Sequence, residues 1–179
     1  MEEEALEFAT KAHGSQKRKY TEEPYVEHVK RVAETVRTVP HSTAMICAAY
    51  LHDVVEDTPV EIEQIREKFG KEIASLVQEL TDEYMKENYP HLNRKHRKQK
   101  EVERQAQMSP EAKTIKLADV IDNTLDIVRN DRNFARRSVP EMEALTLVLK
   151  EGDQELYARA IKEVEKGKAI LRKERERSQ

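Results

Sequence analysis

His52 and Asp53 stand side by side at the end of the most apolar run in the chain, Ala44-Met45-Ile46-Cys47-Ala48-Ala49-Tyr50-Leu51. Two ionisable side chains at the exit of a buried helix are costly to desolvate unless something compensates them, and a divalent cation compensates both. Neighbours on a helix point about 100° apart, so the pair approaches an ion from two directions and needs further ligands from elsewhere. His28 and Asp119 are polar exceptions among apolar neighbours, and they complete a set of two imidazoles and two carboxylates. Taken singly, His28 reads more readily as a core histidine with a satisfied hydrogen bond, and Asp119 can be read as a buried ion-pair partner of Arg or Lys. Taken together, the four read as a metal centre. Mixed ligation of this kind suits Mn²⁺, Fe²⁺ or Zn²⁺, with positions left for water and a phosphate oxygen.

One helical turn further on, Glu56 shares a face with His52, and Asp57 with Asp53. Carboxylates placed there can orient a water, accept its proton or protonate a departing phosphate oxygen, which makes Glu56 and Asp57 the candidate catalytic pair. The plainer alternative is a solvated helix end. Asn123 follows Asp119 by four residues, so its amide can hold a ligand or a substrate oxygen. In the basic stretch Gln16-Lys17-Arg18-Lys19, Arg18 could grip a phosphate bidentately and Lys19 as a point charge, or both could be ordinary exposed charge.

These residues must be delivered by helices. Ala5, Phe8, Ala9 and Ala12 repeat at helical spacing, as do Tyr25, Val29, Val32, Ala33 and Val36, with a loop from Gly14 to Pro24 between them. A third helix through the apolar block should end near Asp57, because Thr58-Pro59-Val60-Glu61 has the form of a capped start. Ile62, Ile65 and Phe69 form the next stripe, ended by Gly70, and Ile73, Leu76, Val77 and Leu80 continue as a fifth helix. From Thr81 to Met108 basic residues accumulate and the apolar signal nearly vanishes, so residues 82–108 read as either a solvated polar helix or a mobile flap. Ser109-Pro110 starts a buried helix with Ile115, Ala118, Ile121 and Leu125 on one stripe. Ser138-Val139-Pro140-Glu141 has the form of another cap, with Met142, Leu145 and Leu149 inward, and Asp153 opens a last helix that frays over Arg172 to Gln179. The fold class is all-α in a single domain over residues 1–179, with a core at about residues 3–150 and a C-terminal helix and tail at 153–179.

Composition supports this and removes several functions. Charged residues make up 37% of the 179 and aromatics 5%, a mix that suits exposed helices better than sheets. The net charge of −3 supplies no global field for nucleic acid or an anionic membrane, so any attraction for phosphate must be local. An eight-residue apolar run is far below the roughly 20 needed to span a bilayer, and the acidic start Met1-Glu2-Glu3-Glu4 is unlike a basic leader. With Cys47 alone and inside the apolar block, a cytoplasmic protein is expected.

The motifs in combination resemble a known family. Ala12-His13, Gln16, Arg18-Lys19, Pro24-Tyr25 and His28 are followed by His52-Asp53-Val54-Val55-Glu56-Asp57-Thr58, Phe69-Gly70, and Lys116-Leu117-Ala118-Asp119 with Asn123. Over roughly residues 3 to 130 this is similar to the HD-type hydrolase domain of the RelA/SpoT alarmone enzymes, especially the stand-alone small alarmone hydrolases. The resemblance implies an HD-type bundle of about eight to ten helices and a Mn²⁺-dependent enzyme. That enzyme would remove the 3′-pyrophosphate of guanosine 3′,5′-bis(diphosphate) (ppGpp) or its pentaphosphate relative, leaving GDP or GTP. It implies His28, His52, Asp53 and Asp119 as metal ligands and Glu56 and Asp57 as the carboxylates that handle water. It further implies Arg18 and Asn123 as nucleotide contacts, and Lys19 with the Arg94 to Arg104 region as phosphate contacts. No synthetase half is expected to follow. The chain departs from the pattern at Asp122, where an aromatic or uncharged residue is expected, and between Phe134 and Leu149, which lacks an aromatic-rich continuation.

The expected partner is a small nucleotide, with neither nucleic acid nor membrane involved and a homo-oligomer compatible with the sequence. Two other readings stand beside alarmone hydrolysis: a phosphatase of the same type acting on another nucleotide such as NADPH, and a nucleotide-binding regulatory module without turnover. A purely structural adaptor leaves His52-Asp53 uncompensated in an apolar helix.

Overall fold

The computed structural model describes residues 1–19 and 21–177. Within them ten helices follow one another: α1 (Glu2–His13), α2 (Tyr25–Arg37), α3 (Thr43–Leu51), α4 (Val54–Asp57), α5 (Ile62–Phe69), α6 (Lys71–Leu80), α7 (Arg94–Gln105), α8 (Pro110–Asn130), α9 (Arg132–Val148) and α10 (Gln154–Arg177). Among the described residues the sole β-type pairing is an isolated bridge between Lys17 and Pro24, in the loop that joins α1 to α2. The all-α expectation holds.

Two helices organise the rest. Every residue of α3 from Ala44 to Leu51 is buried, and a helix apolar on all sides must be enclosed; α1, α2, α6 and α8 surround it. The second is α8, whose Ser109 cap accepts the Ala112 N–H with Pro110 at the first helical position. It packs against α2 on one side and against α9 and α10 on the other. Gly167 lets α10 approach closely, since a Cβ there would sit 3.1 Å from Val128 Cγ2. Gly70 ends α5 and begins α6 at φ 87°, a left-handed conformation that costs a side-chain-bearing residue about 1 kcal/mol or more.

Several boundaries differ from those the pattern suggests. The third helix stops at Leu51, and α4 is a separate turn. Thr58 does not cap α5: its hydroxyl donates to the Val54 carbonyl, closing α4, and the capping box forms three residues later between Glu61 and Gln64. Ser138 starts nothing, because α9 already begins at Arg132 under an Asp131 cap and runs through Pro140. Burial of Ala135 and Val139 offsets the hydrogen bond that proline omits. Leu125, expected inward, is 51% exposed, whereas Ile115, Ala118 and Ile121 are buried as expected. The C-terminal helix persists through Arg177 rather than fraying from Arg172; the last two residues lie outside the described ones.

Of the two readings of residues 82–108, the polar helix is the one the structure shows: α7 spans Arg94–Gln105 with only Glu101 and Gln105 buried, and the segment before it is tied to that helix. Asn93 caps α7 by accepting the His96 N–H, and Glu101 and Gln105 are buried beneath it. Glu101 accepts the N–H groups of Glu83 and Tyr84, while the Arg104 guanidinium donates to the carbonyls of Glu79 and Thr81. Polar bonding, not apolar area, holds this segment down. No helix among the described residues is long and apolar enough to cross a membrane.

Candidate metal centre

Three parts of the chain deliver the centre: α2 brings His28, the break between α3 and α4 brings His52 and Asp53, and α8 brings Asp119. The break has a local cause. His52 closes α3, and its Nδ1–H donates back to the Ala49 carbonyl at 2.8 Å, while Asp53 takes φ −98° and ψ −4° and leads into α4. A carbonyl only accepts, so His52 carries a proton on Nδ1, and Nε2 is the atom left to face the carboxylates or an ion.

That Nε2 lies 3.1 Å from Asp53 Oδ2 and 3.7 Å from Asp119 Oδ1. His28 Nε2 lies 3.5 Å from the same Asp53 oxygen and 3.3 Å from the same Asp119 oxygen. Both Nε2 atoms are fully buried without a hydrogen-bond partner, and ligand atoms of His28, His52 and Asp119 fall within 4.8 Å of one another. Buried polar atoms are seldom left orphaned, and two imidazole nitrogens facing two carboxylate oxygens form the donor set of a divalent transition metal. The residues present therefore fit such an ion.

The electrostatics agree. Burial alone would lower the pKa of His28, but the nearby carboxylates of Asp119, Asp122 and Asp53 overcome it and raise it to about 9. His52 is likewise raised against its burial by Asp53 and Asp119. Against its own burial, Asp53 is held well below the usual carboxylate range by His52 and His28. Asp119 is held low by Lys116 and both histidines. The carboxylates thus draw positive charge into a buried space, and a metal ion competes with protons for it.

Glu56 and Asp57 meet different neighbours beside the centre. Glu56 Oε2 accepts the Asp82 N–H at 3.0 Å, and burial, with the charges of Asp82 and Asp53, raises its pKa to about 8. Asp57 sits at the rim, 3.5 Å from the Gln16 amide, and is raised by partial burial and by Asp53. Asp119 is also an ion-pair partner: its Oδ2 lies 3.0 Å from Lys116 Nζ while its Oδ1 faces the histidines, so both readings of this residue hold at once. Asn123 donates to Asp119 Oδ1 at 2.6 Å. Arg18 is no ordinary surface charge; it is buried, and its guanidinium donates to Asn123 at 2.8 Å and to Asp126 at 2.8 and 3.2 Å. Lys19 lies away from the cluster, with its ammonium 4.9 Å above the Phe134 ring.

Three contributors have no role in the motif-based reading. The Tyr25 hydroxyl donates to Asp53 Oδ2 at 2.6 Å, Lys116 neutralises Asp119, and Asp122 accepts from His28 Nδ1 at 2.6 Å. The signal for each was spacing: Tyr25 stands one turn before His28, and Lys116 and Asp122 stand one turn either side of Asp119. Beside the centre opens a cleft of about 1210 Å³ walled by α7, α8 and α9. Asp119 and Asn123 reach into it, Lys95, Lys98 and Arg137 line it with positive charge, and Met142 and Leu145 add apolar surface. Acidic side chains, Asp82, Glu103 and Glu141 among them, alternate with these cations, and Lys98 pairs with Asp82 at 3.0 Å, so phosphate would be met by individual cations and not by a basic field.

An all-helical domain whose buried histidines and aspartates converge beside an open cleft carrying several cations has the makings of a metal-dependent phosphohydrolase. Residues 5–143 match the HD-domain family. The guanosine-3′,5′-bis(diphosphate) 3′-pyrophosphohydrolase MESH1 of Drosophila melanogaster is 38% identical over 130 residues, 71% of this chain and 69% of that protein. Its Homo sapiens counterpart is 37% identical over 129 residues, 70% and 69% of the two chains. A solved structure described as a metazoan ortholog of SpoT that hydrolyses ppGpp superposes with a TM-score of 0.81 at 30% identity, covering 92% of this chain and 94% of that one. The chain belongs to the HD-domain family and, within it, to the group that contains the MESH1 proteins.

Proposed function

We propose that this protein hydrolyses ppGpp and its pentaphosphate relative, releasing the 3′-pyrophosphate and leaving GDP or GTP, with Mn²⁺ held by His28, His52, Asp53 and Asp119. The observation that carries this reading is the pair of buried, unpartnered Nε2 atoms facing the Asp53 and Asp119 carboxylates, at the edge of a cleft large enough for a nucleotide. The relatives named for this activity support the choice of substrate.

When bound, the ion supplies Lewis acidity to a phosphoryl oxygen and to water. The side chains do the rest. Lys95, Lys98 and Arg137 offset the charge of the diphosphates along the cleft. Arg18 and Asn123, joined to each other, support the nucleotide on the α8 side, and Lys19 extends that edge. Glu56, whose burial favours its protonated form, gives a proton to the departing 3′ oxygen, while Asp57 takes one from the attacking water. Tyr25 and Lys116 hold the Asp53 and Asp119 carboxylates in place. Residues 1–179 act as one HD unit, since α10 packs along α8 and α9. A cytoplasmic setting is favoured by the buried, unpaired thiol of Cys47.

The test is release of pyrophosphate from ppGpp by the purified chain with Mn²⁺. Losing one ligand in Asp53→Ala should cut kcat/KM by about a thousandfold, about 4 kcal/mol of transition-state stabilisation. Intact ppGpp after prolonged incubation overturns the substrate assignment. Turnover of NADPH in the same assay would then point to the neighbouring phosphatase activity, and tight ppGpp binding without turnover to a regulatory module.

A further inference from the structure

The two histidines of the centre are held differently. His52 donates its Nδ1–H to a neutral backbone carbonyl, that of Ala49, at 2.8 Å. His28 donates to a carboxylate, Asp122 Oδ2, at 2.6 Å. That carboxylate is itself clamped: Arg31 Nε donates to its Oδ1 at 2.7 Å and Arg31 Nη2 to its Oδ2 at 3.2 Å. Arg31 is fixed in turn, because its Nη1 donates to Glu23 Oε1 at 2.7 Å, and Glu23 belongs to the loop whose backbone pairs Arg18 N–H with the Glu23 carbonyl. His28 is fully buried and Asp122 is 12% exposed, so little solvent competes for these bonds.

We propose that Asp122, clamped by Arg31 and Glu23, is the positioning residue that fixes His28 as a metal ligand and ties the α1–α2 loop to the centre. The inference rests on the reading that His28 binds a divalent ion. Its physics is direct. An ionised carboxylate only accepts, so the Asp122 bond forces the His28 proton onto Nδ1 and leaves the Nε2 lone pair toward Asp53 and Asp119. The negative charge behind the ring makes Nε2 a stronger donor than a carbonyl partner would. Asp122 touches neither the ion nor the substrate, so its effect is on metal affinity and not on the chemical step.

Asp122→Asn distinguishes this from mere packing. The asparagine keeps the shape, but its amide nitrogen must face either His28 Nδ1–H or an Arg31 donor, a donor against a donor. Mn²⁺ affinity, read from the signal of free Mn²⁺ by electron paramagnetic resonance, should fall about 10- to 100-fold. The maximal rate at saturating Mn²⁺ should stay within a few-fold of wild type. Arg31→Met frees the carboxylate without removing it and should weaken Mn²⁺ less, and the double variant should be no worse than Asp122→Asn alone because the two act as one chain. A folded Asp122→Asn protein with wild-type Mn²⁺ affinity overturns the proposal. Should that variant fail to fold, Arg31→Met decides, and unchanged Mn²⁺ affinity in it is equally fatal. Wild-type protein that binds no Mn²⁺ removes the metal reading itself, a different failure from one in which only the Asp122 and Arg31 variants behave like wild type.

Discussion

Glu56 shows how environment assigns a role to a side chain. Burial and the charges of Asp82 and Asp53 push its pKa up to about 8, so in the metal-free protein it stays protonated where a free glutamic acid has long ionised. Between about pH 4.5 and 8 the unfolded chain has lost this proton and the folded one has kept it, so unfolding releases a proton and stability declines as pH rises through that window. Glu56→Gln has no proton to lose. Urea denaturation of metal-free protein should therefore show the variant gaining on wild type from about pH 4.5 to 8 and levelling above, whereas parallel pH profiles would contradict a raised pKa. The residues that converge on the centre were legible because each was a polar interruption in an apolar stripe: His28 in α2, His52-Asp53 after α3, Asp119 in α8. The partners Tyr25, Lys116 and Asp122 were harder to see. A polar residue one turn from His28 or Asp119 looks identical whether it bonds the centre or faces solvent; the packing of α2 on α8 settles Asp122, that of α2 beside the α3–α4 break settles Tyr25, and burial of α8 settles Lys116.

At the scale of elements, α7 is where periodicity fails and bonding takes over. Glu101 accepts the N–H groups of Glu83 and Tyr84 with one oxygen and the Arg104 and Gln105 side chains with the other, at 2.6 to 3.3 Å. Removing that carboxylate in Glu101→Ala leaves two amides without an acceptor. Their hydrogen exchange should accelerate about tenfold or more while the amides of α3 stay protected. Unchanged exchange at Glu83 and Tyr84 would mean that the segment is held by something else. Hydrophobic pattern could not resolve residues 82–108, since helices held by buried polar networks and flaps held by nothing share the same composition. The same limit explains the misplaced caps: Thr58 and Ser138 fit the motif, but Thr58 had already bonded the Val54 carbonyl and Ser138 lay inside a helix that started at Arg132. Where the apolar signal was dense, as in α3 and α8, helix type and burial followed from sequence directly, although α3 ends at Leu51 and not near Asp57.

Across the whole molecule, charge is concentrated on one side of the site only. The overall net charge is −3, and the cleft between α7, α8 and α9 mixes Lys95, Lys98 and Arg137 with Asp82, Glu103 and Glu141, while the floor beside it gathers Asp53, Asp119, Asp122 and Glu56. The acidic floor suits a cation, the cations of the cleft suit phosphate one by one, and the two regions meet at Asp119. Bringing His28, His52, Asp53 and Asp119 from three distant stretches of chain onto one point is the main structural commitment of the fold. Anomalous diffraction at the manganese edge, from crystals grown with Mn²⁺, tests that commitment directly. We expect one peak per chain, about 2.0 to 2.4 Å from the Nε2 atoms of His28 and His52 and from a carboxylate oxygen each of Asp53 and Asp119. A fully occupied ion elsewhere in the molecule, or a well-ordered centre with no peak among these four side chains at saturating Mn²⁺, would contradict it.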